Sequence, residues 1–251
     1  MSTLTNAAEV LRLFGSGCHA ITVTEVGARL GLPKASASRL MKAMRECGML
    51  ETIGDSRQHR PGAMMLDLAA AFRQSSSLMR DAAEAVAAVT RQYGHTGYIS
   101  IRIGQEVTAV VDFEGTAALR VVSNIGQHLP AHLAATGRAL LARLPETDLA
   151  ALYAGHPDLD TILPRIAACR AQGYSLSIQE TTPGVEGISV AVGDPGTGEA
   201  VALCLVYPHA VVTPQDRDAM IAALGARAAD LAQRFGDPIF RAPDFSNRTT
   251  P

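Results

Sequence analysis

The amino-acid sequence predicts an α+β protein with an N-terminal winged helix-turn-helix, a linker helix and a larger C-terminal domain built on a mainly antiparallel sheet. Three observations support this fold class. Residues 21–62 combine a short helix, a tight turn, a longer helix and a basic hairpin. Residues 63–93 show the 3.6-residue apolar repeat of helices. Beyond Gly94 the chain alternates apolar and polar residues in short runs separated by turns, which is typical of paired strands.

Capping and turn residues delimit the helix-turn-helix. A short helix is predicted over 25–30, with Thr24 as its N-cap, because a threonine hydroxyl accepts a bond from an unpaired helical N–H. Gly31 ends that helix, and Pro33 begins a longer one that continues to about residue 47. The other predicted elements of this region are a helix over 7–14, a strand over 21–23 and a hairpin with strands over 49–53 and 57–60.

The longer helix has two distinct faces. At about 100° per residue, its apolar residues share one side, which we expect to pack on the preceding helices. The opposite side carries cations and short hydroxyls, which bind phosphates and base edges in a major groove. The DNA-contacting residues predicted on this helix and on the hairpin are Lys34, Ser36, Ser38, Arg39, Lys42, Arg45, Arg57 and Arg60. A solvated amphipathic helix without a nucleic-acid role is the alternative for the charged face taken alone.

The charge of the chain is unevenly distributed. The net charge is −2, yet residues 1–62 hold eight basic and five acidic side chains, a balance of +3. The remainder holds 14 basic and 19 acidic side chains, a balance of −5. The two lysines of the chain, Lys34 and Lys42, both lie on the predicted DNA-contacting face. A basic head on an acidic body is typical of a protein that touches nucleic acid with one end, with chance as the alternative.

Composition excludes several classes of protein. The chain has 251 residues, 47% of them hydrophobic and 18% charged, so it has room for two domains with buried cores. It lacks a run of about 18 apolar residues and a basic start followed by an apolar run. We therefore expect a cytoplasmic protein without a membrane span or signal peptide. The four cysteines form no CxxC pair and the histidines lack zinc-ligand spacing, so we expect free buried thiols and no metal or other cofactor.

The same patterns divide the chain into segments. The prediction is a winged helix-turn-helix over 1–62, a linker helix over 63–76, an α+β domain over 77–236 and, because it is rich in proline and polar residues, a mobile tail over 237–251. Helices are predicted over 64–74, 78–93, 133–144, 147–153, 159–172 and 214–235. Strands are predicted over 98–103, 107–113, 119–122, 174–179, 187–192 and 200–207.

Three segments carry a family resemblance. GLPKASASRLMKAM looks like a recognition-helix segment, PAHLAATGRALLA approximates the motif P-x-H-A-T-A-x-G-K-A-x-L-A, and GYSLSIQETTPGV contains a GY…E…PGV pattern. The matching positions in the last two are Pro130, His132, Ala135, Gly137, Ala139, Leu141, Ala142, Gly173, Tyr174, Glu180, Pro183, Gly184 and Val185. Over nearly its whole length the chain resembles the IclR family of bacterial transcriptional regulators.

The resemblance implies both architecture and partners. It implies a winged-helix DNA-binding domain, a linker helix and a GAF-like effector-binding domain. The implied partners are a double-stranded DNA operator, a small organic-acid or aromatic metabolite, and further copies of the chain in homodimers that often pair into tetramers. The effector-binding residues that it implies are Leu133, Ala134, Ala135, Thr136, Gly137, Ser177, Gly187, Ile188, Ser189, Cys204 and Val206.

The implied pocket departs from the family at polar positions. Ser177 stands where many members have Asp, and Gly187 stands where many have Cys. Cys204 and Val206 replace two serines that are frequent in the late strand. Because a carboxylate buried without donors is costly, we expect an effector that is larger, flatter or more apolar than glyoxylate, such as an aromatic acid. Gly187, which lacks a side chain, is expected to leave room for it.

The residues and the resemblance together predict a sequence-specific DNA-binding regulator, and not an enzyme. The resemblance implies repression as the expected sign, with operator binding modulated by a small organic-acid or aromatic metabolite. The alternative is a GAF-like small-molecule-binding enzyme whose N-terminal domain serves only for assembly, since fold alone does not determine function. Ser177 has no evident histidine partner and Cys204 lies in an apolar run, which argues against a nucleophile. The linker-helix residues expected to form a dimer surface are Leu66, Ala69, Ala70 and Phe72.

Overall fold

The computed structural model describes residues 2–15, 18–122 and 125–246. The chain divides between Ser76 and Ser77 into two compact units. None of the helices in these ranges combines the length and the apolar character that a membrane crossing requires.

The first unit is a winged helix-turn-helix followed by one further helix. Its elements are α1 (Thr3–Gly15), β1 (Ile21–Thr22), α2 (Val23–Leu30), α3 (Lys34–Glu46), β2 (Leu50–Thr52), β3 (Gln58–Pro61) and α4 (Ala63–Ser75). The strands form an antiparallel sheet in the order β1-β3-β2. Val10, Val26 and Met41 are fully buried between the first three helices and the sheet, so one apolar core holds α2, α3 and the hairpin together.

The cap of α2 differs from the sequence prediction. Thr22, and not Thr24, is the N-cap, because a carboxylate three residues further on completes a capping box. The Thr22 hydroxyl accepts from the N–H of Glu25 at 3.3 Å, and the Glu25 carboxylate accepts from the N–H of Thr22 at 2.7 Å. The N–H of Thr22, together with its hydroxyl, which donates to the same carboxylate at 2.8 Å, lowers the pKa of Glu25. Gly31 ends the helix at φ +63°, as predicted. Pro33 is the N-cap of α3 and not, as predicted, its first helical residue, because α3 begins at Lys34.

The helix α4 is exposed along its whole length within its unit. None of its residues is buried, although several are apolar. Leu66, Leu68 and Phe72 are among the most exposed large hydrophobic side chains of the described chain. An exposed apolar helix face such as that of α4 is expected to be buried against a further protein surface.

The second unit is a six-stranded antiparallel sheet with helices on both faces. Its elements are α5 (Ser77–Tyr93), β4 (Thr96–Ile103), β5 (Glu106–Phe113), β6 (His128–Pro130), α6 (Ala135–Leu141), α7 (Glu146–Leu152), α8 (Leu159–Gln172), β7 (Ser175–Ile178), β8 (Val185–Asp194), β9 (Glu199–Pro208), a 3-10 turn (His209–Val211) and α9 (Pro214–Phe235). The strand order is β6-β5-β4-β9-β8-β7. The helices α5 and α9 pack on one face of the sheet, and α6 and α8 pack on the other.

Strand alternation assigns each side chain of the sheet to one of these faces. Ile188 and Leu205 belong to the apolar core under α5 and α9. Ala191 and Ala202 belong to the smaller core under α6 and α8. Because β8 and β9 pair with Ser189 opposite Cys204, these two residues also lie on the α6 face.

Two elements near the edge of the sheet differ from prediction. The predicted strand over 119–122 is irregular, and the edge strand is instead β6, which pairs with β5 between Glu106 and Thr108. The loop that precedes β6 is held by a hydrogen bond from a side chain, since the carbonyl of Val121 accepts from the Thr96 hydroxyl at 2.6 Å. The helix predicted over 133–144 is shorter and spans only Ala135–Leu141.

The described part of the predicted mobile tail, residues 237–246, is ordered against the second unit. The side chain of Asp237 is almost fully buried and accepts from Arg143 at 2.8 Å and from the N–H of Gly193 at 2.7 Å. Burial opposes ionisation of Asp237, but these hydrogen bonds outweigh burial and lower its pKa. Phe240 and Phe245 pack against the main core. Composition, on which the prediction of mobility rested, does not reveal such a buried ion pair, and residues 247–251 of the predicted tail lie outside the described residues.

Gly137 sets how closely α6 approaches the preceding turn. A Cβ at this position would lie 2.1 Å from the carbonyl oxygen of Ala131. We expect Gly137→Ala to lower the free energy of unfolding by at least about 2 kcal/mol, because backbone cannot give way as a flexible side chain can. Gly155→Ala is the control, with open space at φ +79° and an expected cost of about 1 kcal/mol from left-handed backbone alone. Equal losses for the two variants in urea unfolding would contradict the steric account.

Candidate functional site

The helix α3 presents one buried and one exposed face. Ala37, Leu40, Met41 and Met44 are buried in the core of the first unit. The predicted DNA-contacting residues of α3 lie on the other side, where Ser36 is half-buried and the exposed members are Lys34, Ser38, Arg39, Lys42 and Arg45. Five of these side chains are therefore exposed away from the core, whereas Ser36 lies at the edge of the buried face, four residues before Leu40.

The cations on this surface make only weak hydrogen bonds and ion pairs within the described chain. Arg39 donates to the hydroxyl of Ser36 at 3.4 Å, and Lys42 lies 3.7 Å from the carboxylate of Glu46. Both contacts are exposed, and exposed pairs contribute little free energy. These side chains can therefore exchange their present contacts for phosphate or base contacts at small cost.

The hairpin adds two arginines of different character. Arg57 is exposed near the hairpin turn. Arg60 lies opposite Glu51 across the β2–β3 pair and donates from Nε to its carboxylate at 2.5 Å. Part of the Arg60 charge is thus already compensated, which distinguishes it from Arg57.

A cavity of about 120 Å³ lies on the α6 face of the sheet in the second unit. Its walls come from β4, β5, β6, β9, α6, and the loops before β6 and β8. The lining residues are Tyr98, Ser100, Val107, Ala109, Val121, Val122, Gln127, Leu129, Thr136, Thr181, Thr182, Val185 and Val206. Two residues of the predicted effector site, Thr136 and Val206, line this cavity.

The other predicted effector residues lie beside the cavity or away from it. Ile188 was placed wrongly, because strand alternation turns it into the core under α5 and α9. Gly187 leaves no room for a ligand, since a Cβ there would lie 3.3 Å from Val206 and 3.9 Å from Ala135. Leu133 is partly exposed outside the cavity. The remaining predicted residues do not line the cavity: Ala134, Ala135, Gly137, Ser177, Ser189 and Cys204.

Strand β4 supplies two cavity residues that sequence reasoning missed. Tyr98 pairs directly with Cys204 and Ser100 pairs with Ala202, so both share the α6 face with the predicted residues of β9. The alternation of β4 was visible in the sequence, but its pairing with β9 was not. Thr181 and Thr182 were also missed as cavity residues. They immediately precede the PGV motif, and this position in the sequence was a signal that could have identified them.

Hydroxyl groups dominate the polar lining of the cavity. They belong to Tyr98, Ser100, Thr136, Thr181 and Thr182, and Gln127 adds an amide. Burial and the neighbouring Cys204 thiol raise the pKa of Tyr98 well above its usual value, so its phenol remains a neutral donor. Among the described lining residues none carries a formal charge. The cavity is therefore suited to a ligand whose polar groups bind neutral donors and acceptors.

Arg138, a buried residue of α6, holds the walls of this site together. Its guanidinium donates to the carbonyls of His132, Leu133 and Leu176 at 3.1, 2.9 and 2.7 Å. Its Nε donates to the hydroxyl of Ser175 at 3.3 Å. A buried cation needs such acceptors, since burial alone already lowers the pKa of Arg138.

The remaining partner of Arg138 is the carboxylate of Glu180. The two guanidinium nitrogens donate to its two oxygens at 3.0 and 3.3 Å, a bidentate pair. Arg165, on the exposed side, contacts the same carboxylate. Because Thr181 and Thr182 follow directly in sequence, the pair fixes the loop that forms one wall of the cavity. Arg138 and Glu180 were recognised from the sequence only as motif positions, without this role.

The cysteines show no sign of nucleophilic chemistry. All four are free, and Cys169 and Cys204 are buried as expected, whereas Cys47 is exposed at the end of α3 and Cys18 is half-buried. Burial raises the pKa of both Cys169 and Cys204 to about 12. The thiols of these two residues therefore stay protonated, and a protonated thiol is a weak nucleophile.

Comparisons with known proteins agree along the length of the chain. The family model for the IclR helix-turn-helix domain matches residues 3–54, and the model for the bacterial transcriptional regulator IclR C-terminal domain matches residues 70–233. The chain is similar to the acetate operon repressor of Salmonella typhimurium, with 23% identity covering 91% of this chain and 88% of the repressor.

Two solved structures show the same fold. A putative IclR transcriptional regulator from Silicibacter sp. TM1040 superposes with a TM-score of 0.83 at 25% identity, covering 96% of this chain and 100% of that one. An IclR homologue from Microbacterium hydrocarbonoxydans, solved in complex with 4-hydroxybenzoate, superposes with a TM-score of 0.73 at 22% identity, covering 92% and 100%.

The two arginines on Glu180 allow a matched test of the buried pair. We expect Arg138→Met to lower the free energy of unfolding by about 3 kcal/mol, because it breaks a buried pair and leaves carbonyl groups unpaired. Arg165→Met removes the more exposed contact with the same carboxylate and should cost about 0.5 kcal/mol or less. Urea unfolding of both variants measures the difference, and similar losses would mean that Arg138 has no special structural role.

Proposed function

Because the chain belongs to the IclR family of bacterial transcriptional regulators, we propose that it binds a DNA operator through its first unit and represses transcription, and that a small metabolite lowers its affinity for the operator. The metabolite occupies the cavity between α6 and the sheet and changes the affinity for the operator. The observation that carries the proposal is the division of α3 into a buried apolar face and an exposed face with both lysines of the chain.

We propose that α3 enters the major groove and that the hairpin contacts the phosphate backbone. Arg39 and Ser38 are placed to read bases, whereas Lys34 and Lys42 neutralise phosphates. On the hairpin, Arg57 is the stronger phosphate ligand, since Arg60 already shares its charge with Glu51. This assignment rests on exposure, charge and the order of the elements.

The effector that fits best is an aromatic acid with a single ring. A cavity of about 150 Å³ lined by apolar side chains holds benzene, so the present cavity of about 120 Å³ limits the apolar body of the ligand to a single ring, with its polar substituents at the edge of the cavity. Val107, Leu129 and Val206 offer apolar contacts to a ring, while threonine hydroxyls bind a polar substituent. The complex of the Microbacterium homologue with 4-hydroxybenzoate supports this class of ligand.

An enzyme built on the second unit is the less favoured alternative. Catalysis by Cys204 would require a thiolate, yet burial holds its pKa at about 12. Ser189, which lies opposite Cys204 across the strand pair, donates to the carbonyl of Leu203 at 3.0 Å. Regulation without catalysis is therefore our proposal.

The DNA contact is tested by substitutions on α3. We expect Arg39→Ala and Ser38→Ala to weaken binding to the selected operator, by about 1–3 kcal/mol for an arginine that reads a base. Arg12→Ala is the control, because Arg12 is an exposed arginine of α1 whose recorded partner is Glu9. Fluorescence anisotropy with the operator and with random duplex separates base reading from phosphate contact. Operator affinity that is unchanged in both α3 variants would exclude this face.

The effector class is tested by calorimetry with the full chain. Aromatic acids such as 4-hydroxybenzoate should bind more tightly than glyoxylate or pyruvate, because the apolar lining rewards a ring and lacks a cation for a bare carboxylate. Val206→Ser should narrow that difference, whereas the exposed Val211→Ser should not. Tight glyoxylate binding with no response to aromatic acids would refute the assignment.

We further propose that α4 forms a homodimer surface, with pairing of dimers into tetramers as an additional step. A dimer would place two α3 helices on half-sites about one helical turn apart. Leu66→Glu together with Phe72→Glu should yield monomers in analytical ultracentrifugation, because a buried unpaired carboxylate is costly. Arg73→Glu, a polar exchange on the same helix, is the control. Stable monomers of the unsubstituted chain that bind DNA as monomers would contradict the proposal.

A further inference from the structure

A second cavity, of about 420 Å³, lies on the same side of the sheet as α6. It shares no lining residue with the cavity of about 120 Å³ that we propose for the metabolite, the effector cavity. It is lined by the ends of α6 and α8, by Ala191 of β8, and by the C-terminal segment at Ile239 and Arg241. Its volume falls within the range of about 300–1,000 Å³ that is usual for small-molecule sites. The buried contact between Asp237 and Arg143 holds the C-terminal segment in place as its wall.

The ionisable lining of this cavity is predominantly cationic. Arg143, Arg170 and Arg241 contribute three guanidinium groups, against the single carboxylate of Glu146. The charge of Arg143 is compensated by Asp237, so it belongs to the anchor of the wall. Arg170 and Arg241 are left as the cations that can meet a ligand.

Arg170 is held in a fixed orientation. Its Nε donates to the carbonyl of Ala142 at 2.9 Å, and its Nη2 donates to the carbonyl of Leu144 at 2.8 Å. Its Nη1 contacts the carboxylate of Glu146 at 3.1 Å, and the Glu146 side chain is 86% exposed. An exposed ion pair is weak, whereas a guanidinium already fixed by two bonds loses little entropy when it binds. A ligand anion can therefore replace Glu146 at low cost.

Arg241 supplies the second cation from the C-terminal segment. It is exposed and donates from Nη1 to the carbonyl of Ala171 at 3.4 Å, a long bond. Between the two cations the wall is apolar and aromatic, with Tyr174, Ile239 and Ala139. The site thus combines two guanidinium groups with a surface for a short hydrocarbon or sugar body.

From this arrangement we propose that the cavity is a second ligand site, distinct from the effector cavity, for a compact dianion such as a dicarboxylate or a phosphate monoester. One anionic group binds Arg170 in place of Glu146, and the other binds Arg241. Because Ile239 and Arg241 lie on the C-terminal segment, a bound dianion ties this segment more firmly to the sheet.

Isothermal titration calorimetry with the full chain tests the proposal, with malate and glycerol 3-phosphate as dianions and acetate as a monoanion. Saturable binding of either dianion, tighter than that of acetate, is expected, and the one that binds identifies the head group. Arg241→Gln should weaken binding about tenfold, a ratio equal to about 1.4 kcal/mol. Glu146→Gln should tighten binding, because it removes the competing carboxylate.

The control is Arg227→Gln, which removes an exposed arginine of α9 that does not line this cavity. Melting curves establish whether each variant is folded. If Arg241→Gln does not fold, the change in dianion affinity of Glu146→Gln tests the proposal instead. The proposal is overturned if no dianion binds saturably, if acetate binds as tightly, or if Arg241→Gln and Glu146→Gln both leave the affinity unchanged. It does not depend on the effector assignment, which concerns different residues.

Discussion

The buried guanidinium of Arg138 is the constraint on which the second unit depends. A cation removed from water must find acceptors, and Arg138 finds them in the turn before α6, in β7 and in Glu180. These segments are distant in sequence, so the requirement of one side chain brings them together. Thr136 lies on the same helix as Arg138, and Thr181 follows Glu180. The shape of the effector cavity is therefore tied to a charge that lies outside its lining.

The architecture of the first unit could be predicted from the sequence because its signals are local. The periodicity of α3 separates Leu40 and Met44 from Arg39 and Lys42 without knowledge of any other element. Gly31 acts through its own backbone conformation, which a single position reveals. The error at Thr24 had a local cause too, since the capping box with Glu25 selects Thr22.

The lining of the effector cavity was less predictable because it depends on pairing between distant strands. Motif positions pointed to the region of this cavity, and two of the predicted residues, Thr136 and Val206, line it. Ile188 was misplaced because one step along a strand reverses the face of the sheet. Tyr98 was missed because its position opposite Cys204 follows only from the β4–β9 register. The order of the C-terminal segment likewise depends on Asp237 meeting Arg143, a contact that composition does not reveal.

In the proposed mechanism, occupation of the effector cavity and binding of the operator are coupled. Coupling is reciprocal, so each ligand must change the affinity of the other by the same factor, typically about 5 to 150. The direct measurement titrates the aromatic acid that binds most tightly into the chain alone and into the chain saturated with its selected operator duplex. We expect the acid to bind more weakly to the DNA-bound chain than to the free chain. The ratio of the two affinities should equal the factor by which the acid lowers the affinity for the operator. Identical affinities with and without DNA would contradict the account.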